Sequence, residues 1–172
     1  MREQRPLPVA VARRLRELLQ EQATDVVAFS IDEFAFTREA ADASSAERLG
    51  RELQAEIRAR LALPASFGIA GSTTVAKIAS DRAKPGGVLV VPPAETAAFL
   101  APLPVRAIPG VGPKTAETLA QRGGVTIGAL AAGASVKVRS ALGAFAEELV
   151  LLPDGRDPDL GEGAHRLLQV SP

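Results

Sequence analysis

Residues 30–36 read SIDEFAF and set two carboxylates, Asp32 and Glu33, side by side in an otherwise apolar stretch. The VVAFSI before them (26–31) has the composition of a buried strand. A carboxylate in such surroundings must be paired, hydrogen-bonded or bound to a cation, because leaving it bare is costly. Two readings fit: a turn or helix cap at a strand end, or a divalent-metal site. Neighbouring side chains in a flat strand point to opposite faces, so a shared metal requires 32–33 to lie at a strand end or bulge.

Two further stretches carry chemistry. AKIASDRAKPGG (76–87) puts Lys77 and Lys84 two helical turns apart on one face. Lys84, just before Pro85, is placed either to meet a phosphate chain or to serve as a cation at a helix C-terminus, and Lys77 to lie along the core with its ammonium in water. IPGVGPKTAETL (108–119) has the helix–hairpin–helix pattern. Gly110 and Gly112 permit positive φ, and the turn Gly110–Val111–Gly112 leads into a helix N-terminus whose N–H groups favour phosphate. Lys114 adds an ionic contact. Such a turn grips a nucleic-acid backbone and reads no bases.

Composition narrows the rest. The 172 residues include no Cys and a single His, which excludes disulfides, thiolate metal sites and cysteine nucleophiles. No apolar run reaches the length of a membrane span and the N-terminus lacks a signal-peptide core, so a cytoplasmic protein with no membrane partner is expected. Net charge is zero, yet 103–143 carries five basic residues against Glu117, and 144–172 six acids against two Arg. The basic part suits a polyanion. Aromatics at 3% argue against a single-strand stacking groove and favour duplex DNA.

The elements that position these residues follow from periodicity. A helix is expected over 8–22, strands over 26–31 and 34–37, and a helix opened by a Ser44–Glu47 capping box and running to about Leu61. A strand (65–71), a helix ending before Pro85, a strand (87–91) and a short helix (95–101) come next. From 101 the pattern is helical, with a one-sided helix over 135–152. The acidic, turn-rich tail reads as an irregular strand or a disordered end.

In order, SIDEFAF, FGIAG, AKIASDRAKPGG and IPGVG closely resemble the Y-family (translesion) DNA polymerases, from the second half of the palm through the thumb, over roughly residues 8 to 160. The resemblance implies an α+β fold: a partial palm of about four strands with helices over 1–100, then a small all-helical thumb with a helix–hairpin–helix over 101–152 and an acidic tail over 153–172. It implies that Asp32 and Glu33 are catalytic carboxylates that hold Mg²⁺ or Mn²⁺. Lys84 would contact the triphosphate of an incoming dNTP, and Gly110, Val111, Gly112 and Lys114 would contact duplex or primer–template DNA without sequence preference.

Departures from the family bear on activity. The family's first palm strand, which carries another metal-binding Asp, is not found in this chain, nor are the fingers and the little finger. Asp25 lies on the same segment as Asp32 and cannot stand in, and there is no Tyr. Ser72–Thr73 replaces the family's Asn–Lys, which weakens a phosphate contact. The expectations are weak metal binding dependent on further elements, no synthesis by the isolated chain, and a sheet edge left open for a second polypeptide or for self-association. A non-catalytic DNA-binding repair module on the same scaffold is the alternative.

Overall fold

A computed structural model of the chain describes residues 7–23, 25–121, 123–132 and 167–171. It begins with helix α1 (Val9–Gln22), then strands β1 (Val27–Ala28) and β2 (Phe34–Thr37), helix α2 (Ala43–Leu61), strand β3 (Ser66–Ala70), helix α3 (Thr73–Ala83) and strand β4 (Val88–Val91). The short helices α4 (Thr96–Leu100), α5 (Pro113–Ala120) and α6 (Ile127–Ala132) follow, and strand β5 (Leu167–Ser171) comes last. The expected helix over 135–152 lies outside the described residues.

Alternation along the strands decides what packs on each face. Phe34 and Phe36 of β2 and Phe67 and Ile69 of β3 join Leu15, Leu18 and Leu19 of α1 and Leu53 and Ile57 of α2 in one buried cluster. Burying each such side chain stabilises by roughly 1.5–3 kcal/mol. The intervening Ala35 and Ala70 belong to a second cluster with Val75, Ala76, Ile78 and Ala79 of α3. That cluster continues without a break past residue 101, through Leu103 and Ile108 to Leu119 and Ile127. The sheet therefore has helices on both faces, and α3 is gripped from the strand side and from the helical lobe.

Strand order is β1-β2-β5-β3-β4, which corrects two expectations. Among the described residues the sheet has five strands, the four read from the sequence and one more. The acidic tail, read as an irregular strand or a disordered end, contributes a regular strand at the centre, between β2 and β3. β5 runs antiparallel to both neighbours, with Val170 opposite Phe34 and Phe67, and Gln169 opposite Ala35 and Gly68. β3 and β4 pair in parallel. The outer strands among the described residues are β4 and the two-residue β1, whose Val27 is 54% exposed.

α2 starts earlier than its sequence suggests. Asp42, not Ser44, is the N-cap: its carboxylate accepts from the Ser45 N–H at 2.7 Å, and Ser45 Oγ accepts from the Asp42 N–H at 3.0 Å. The Ser45 N–H, and the Ser45 hydroxyl donating to Asp42 Oδ1 at 2.9 Å, hold the Asp42 carboxyl below the usual aspartate range. Glu47 pairs with Arg51 instead. Arg60, near the other end of α2, forms a two-pronged bridge to Glu21 of α1 at 2.6 and 2.9 Å, which lowers the Glu21 pKa. Exposed pairs of this kind contribute little to stability.

Candidate functional site

Asp32 and Glu33 do not lie within a regular strand. The ladder between β1 and β2 stops at Ala28, and residues 29–33 close a tight turn in which Glu33 C=O accepts from the Phe29 N–H at 2.9 Å. Ser30 Oγ donates to Asp32 Oδ1 at 2.6 Å. Strand alternation does not apply in this turn, which meets the condition for two adjacent carboxylates to act together. The turn at a strand end read from the sequence is therefore present.

Lys77 bears on this turn more directly than its sequence setting suggested. Its ammonium lies 2.6 Å from Glu33 Oε1, with the two side chains only 24% and 20% exposed. On its other side Lys77 is 3.5 Å from Asp81 Oδ2, and Asp81 Oδ1 holds Lys84 at 2.9 Å. A chain of alternating charge, Glu33–Lys77–Asp81–Lys84, thus runs along α3. Lys77 does not simply snorkel over the core, as an isolated helical reading allows. Lys84 is the C-cap residue of α3, and its side chain is 28% exposed.

These groups are positioned by the contact of α3 with β3. Gly68 lies so close to the helix that a Cβ there would stand 1.9 Å from the Ala76 carbonyl oxygen and 2.3 Å from the Ser80 nitrogen. Ser72 caps the other end of α3, accepting from the Val75 N–H at 3.3 Å, and is buried. It serves the helix. Asp25 is also engaged elsewhere, both carboxylate oxygens accepting from the Thr37 N–H, at the far end of β2 from Glu33.

The helix–hairpin–helix turn is formed as expected in outline, with one correction. Gly110 has φ 84, the left-handed conformation that favours glycine. Gly112 does not: it is extended at φ −74, ψ 173, as the N-cap of α5, a position open to any residue. Val111 anchors the turn at 8% exposure, its N–H donating to Ile108 C=O at 3.1 Å. Pro113 occupies the first turn of α5, and Lys114 is exposed beside it. Among the described residues no carboxylate pairs with Lys114, so its charge is directed at solvent.

The carboxylates do not by themselves fit a divalent ion. Among the described residues no three His, Cys, Asp or Glu side chains cluster as a metal site. Asp32 and Glu33 supply two carboxylates, and Glu33 is already matched by Lys77. Magnesium is ordinarily held by carboxylates together with substrate phosphates and waters.

The chain is similar to known proteins along most of its length. The impB/mucB/samB family model matches residues 3–81, and the IMS family HHH motif matches residues 93–124. A DNA polymerase IV from Stenotrophomonas maltophilia is 39% identical over 142 residues, 81% of this chain and 40% of that protein. Another, from Methanoculleus marisnigri, is 41% identical over 128 residues, covering 74% and 36%. In the insertion ternary complex of Dbh DNA polymerase, the polymerase superposes with a TM-score of 0.77 at 26% identity, over 87% of this chain and 45% of that one. The chain spans about two fifths of the length of the curated relatives it matches.

Proposed function

Because the chain belongs to the Y family of DNA polymerases, of which it carries palm and thumb segments, we propose that it is the DNA-binding palm–thumb portion of a translesion polymerase. The observation that carries this reading is the turn at Gly110–Gly112, with its left-handed glycine, buried Val111 and exposed, unmatched Lys114. Backbone N–H groups and a lysine presented together suit the phosphates of duplex or primer–template DNA, whatever the sequence.

Binding should be salt-sensitive, since phosphate contacts release counterions. Lys114→Ala should weaken binding about three- to tenfold on every sequence alike and lower the slope of log K against log salt by about one. Fluorescence anisotropy with two unrelated duplexes across a salt series measures both. Affinity that does not change with salt would remove the DNA-binding reading.

In this proposal Asp32 and Glu33 are the palm carboxylates and Lys84 faces the triphosphate of a dNTP, both completed by elements that the rest of the family supplies. The capture of Glu33 by Lys77 favours the second reading, a non-catalytic repair module, for the chain taken alone. Primer extension with Mg²⁺ or Mn²⁺ by this chain should stay at background, because two-metal transfer needs ligands for both ions and a clamped nucleotide. Extension that is measurable and disappears in Asp32→Ala would overturn this and assign full polymerase activity.

A further inference from the structure

We infer that Gln54 is a positioning residue for Lys84: from the middle of α2 it holds the turn from which the Lys84 side chain springs. The inference rests on the proposed role of Lys84 toward a triphosphate and adds what fixes that ammonium in place. Three observations carry it.

The first is where α3 stops guiding the chain. Lys84 is its C-cap residue, with a backbone already extended at φ −66, ψ 141. Beyond it the helix no longer dictates the path, so whatever holds residues 84–87 sets the base of the lysine side chain.

The second is a fork of hydrogen bonds. Gln54 Nε2 donates to the Ala65 carbonyl at 2.7 Å and to the Gly86 carbonyl at 2.8 Å. A primary amide nitrogen has two N–H donors, and both are used here. The Gly86 N–H donates in turn to Ser66 Oγ at 2.9 Å, and Ser66 is buried at the start of β3. Both backbone polar groups of Gly86 are thus held, one by α2 and the other by β3.

The third is that packing does not hold this residue. Gly86 has φ 66, and among the described residues nothing beyond its chain neighbours comes within 4 Å of where a Cβ would stand. The hydrogen bonds therefore carry the constraint. Gly87 beside it is pressed on the helix end, where a Cβ would stand 2.4 Å from the Ala83 carbonyl oxygen. The Lys84 ammonium meets Asp81 Oδ1 at 2.9 Å, three residues back on α3. A backbone fixed through Gln54 and a tip fixed by Asp81 together define one place for the charge. Loss of the first loosens the turn beneath the ammonium.

The test reads Lys84 in the full chain, first without any anion. The chain has four lysines, so reductive ¹³C-methylation gives few signals, and Lys84→Arg identifies the one from residue 84. In Gln54→Met the methyl order parameter at Lys84 should fall to that of exposed Lys114. Gln54→Glu, which keeps the length but neither donor, should do the same. Ala55→Ser, at the exposed neighbour, should change nothing. Inorganic triphosphate is then titrated by calorimetry. Lys84→Ala should bind it about tenfold more weakly, and Gln54→Met about threefold more weakly. The double variant should be no weaker than Lys84→Ala, because Gln54 acts through Lys84.

The proposal is overturned if Lys84 is as ordered in Gln54→Met as in the unsubstituted chain, or if the two losses add in the double variant. Circular dichroism melting verifies that each variant is folded. Ser66→Ala, which removes the partner of the Gly86 N–H, gives the same order-parameter test should Gln54→Met not fold. Lys84→Ala binding triphosphate as tightly as its parent would remove the triphosphate reading, and the order parameter alone then decides the role of Gln54.

Discussion

Gly68→Ala should destabilise the fold by about 3 kcal/mol or more, the largest effect expected of a glycine-to-alanine change among the described residues. A Cβ at this position meets the Ala76 carbonyl oxygen at 1.9 Å and the Ser80 nitrogen at 2.3 Å, and both are backbone atoms that no rotamer change can move. Relief requires α3 to lift from β3, which opens the cluster formed by Val75, Ala76, Ile78 and Ala79 and withdraws Lys77 from Glu33. Gly112→Ala is the matched control: its Cβ meets nothing within 4 Å and its φ is ordinary, so it should stay within about 0.5 kcal/mol. With no Trp and no Tyr in the chain, urea unfolding is best followed by far-UV circular dichroism. Equal midpoints for the two variants would show that α3 does not rest on Gly68.

Gln169→Pro should be nearly as damaging, at about 2–4 kcal/mol, against a total stability that for domains is typically about 5–15 kcal/mol. Residue 169 is the midpoint of a strand with neighbours on both sides, opposite Ala35 and Gly68. Proline there removes a ladder N–H and introduces a ring where a third strand runs alongside, which sheets tolerate only at edges. Gln169→Val keeps the N–H and the extended preference and should be tolerated. Loss of amide-exchange protection in β2 and β3 together, in the proline variant only, is the expected signature. A proline variant as stable as its parent would remove β5 from the sheet.

Much of this was legible in the sequence because it was local. The carboxylate pair, the glycine turn at 110–112 and the helix ending before Pro85 all depend on residues within a few positions of each other. The same locality explains the errors. Asp42 and Ser44 are both good N-cap residues two positions apart, and only the extended backbone at Asp42 decides between them. VVAFSI reads as a six-residue strand, but the turn that presents Asp32 and Glu33 takes up its second half, leaving Val27–Ala28 in the ladder.

Lys77 was placed on the correct helix face. Its partner is 44 residues away, and periodicity on one helix cannot say which turn of a neighbouring hairpin that helix will meet. β5 was hidden for the same reason: LLQVS is short, has a polar residue at its centre and follows an acidic, glycine-rich stretch. Its role is set by two strands distant in sequence.

The placement of β5 also fixes an order of events during synthesis and folding. Leu167 pairs with Ala70 and with Thr37, so closing the sheet joins segments roughly a hundred residues apart, at a chain-entropy cost of about 4 kcal/mol. Until β5 has been made, β1–β2 and β3–β4 have no strand between them. Each then has an edge of unpaired backbone groups. Completion of the sheet thus waits on pairings of high sequence separation, the kind that slow folding, with β5 the keystone between the two halves.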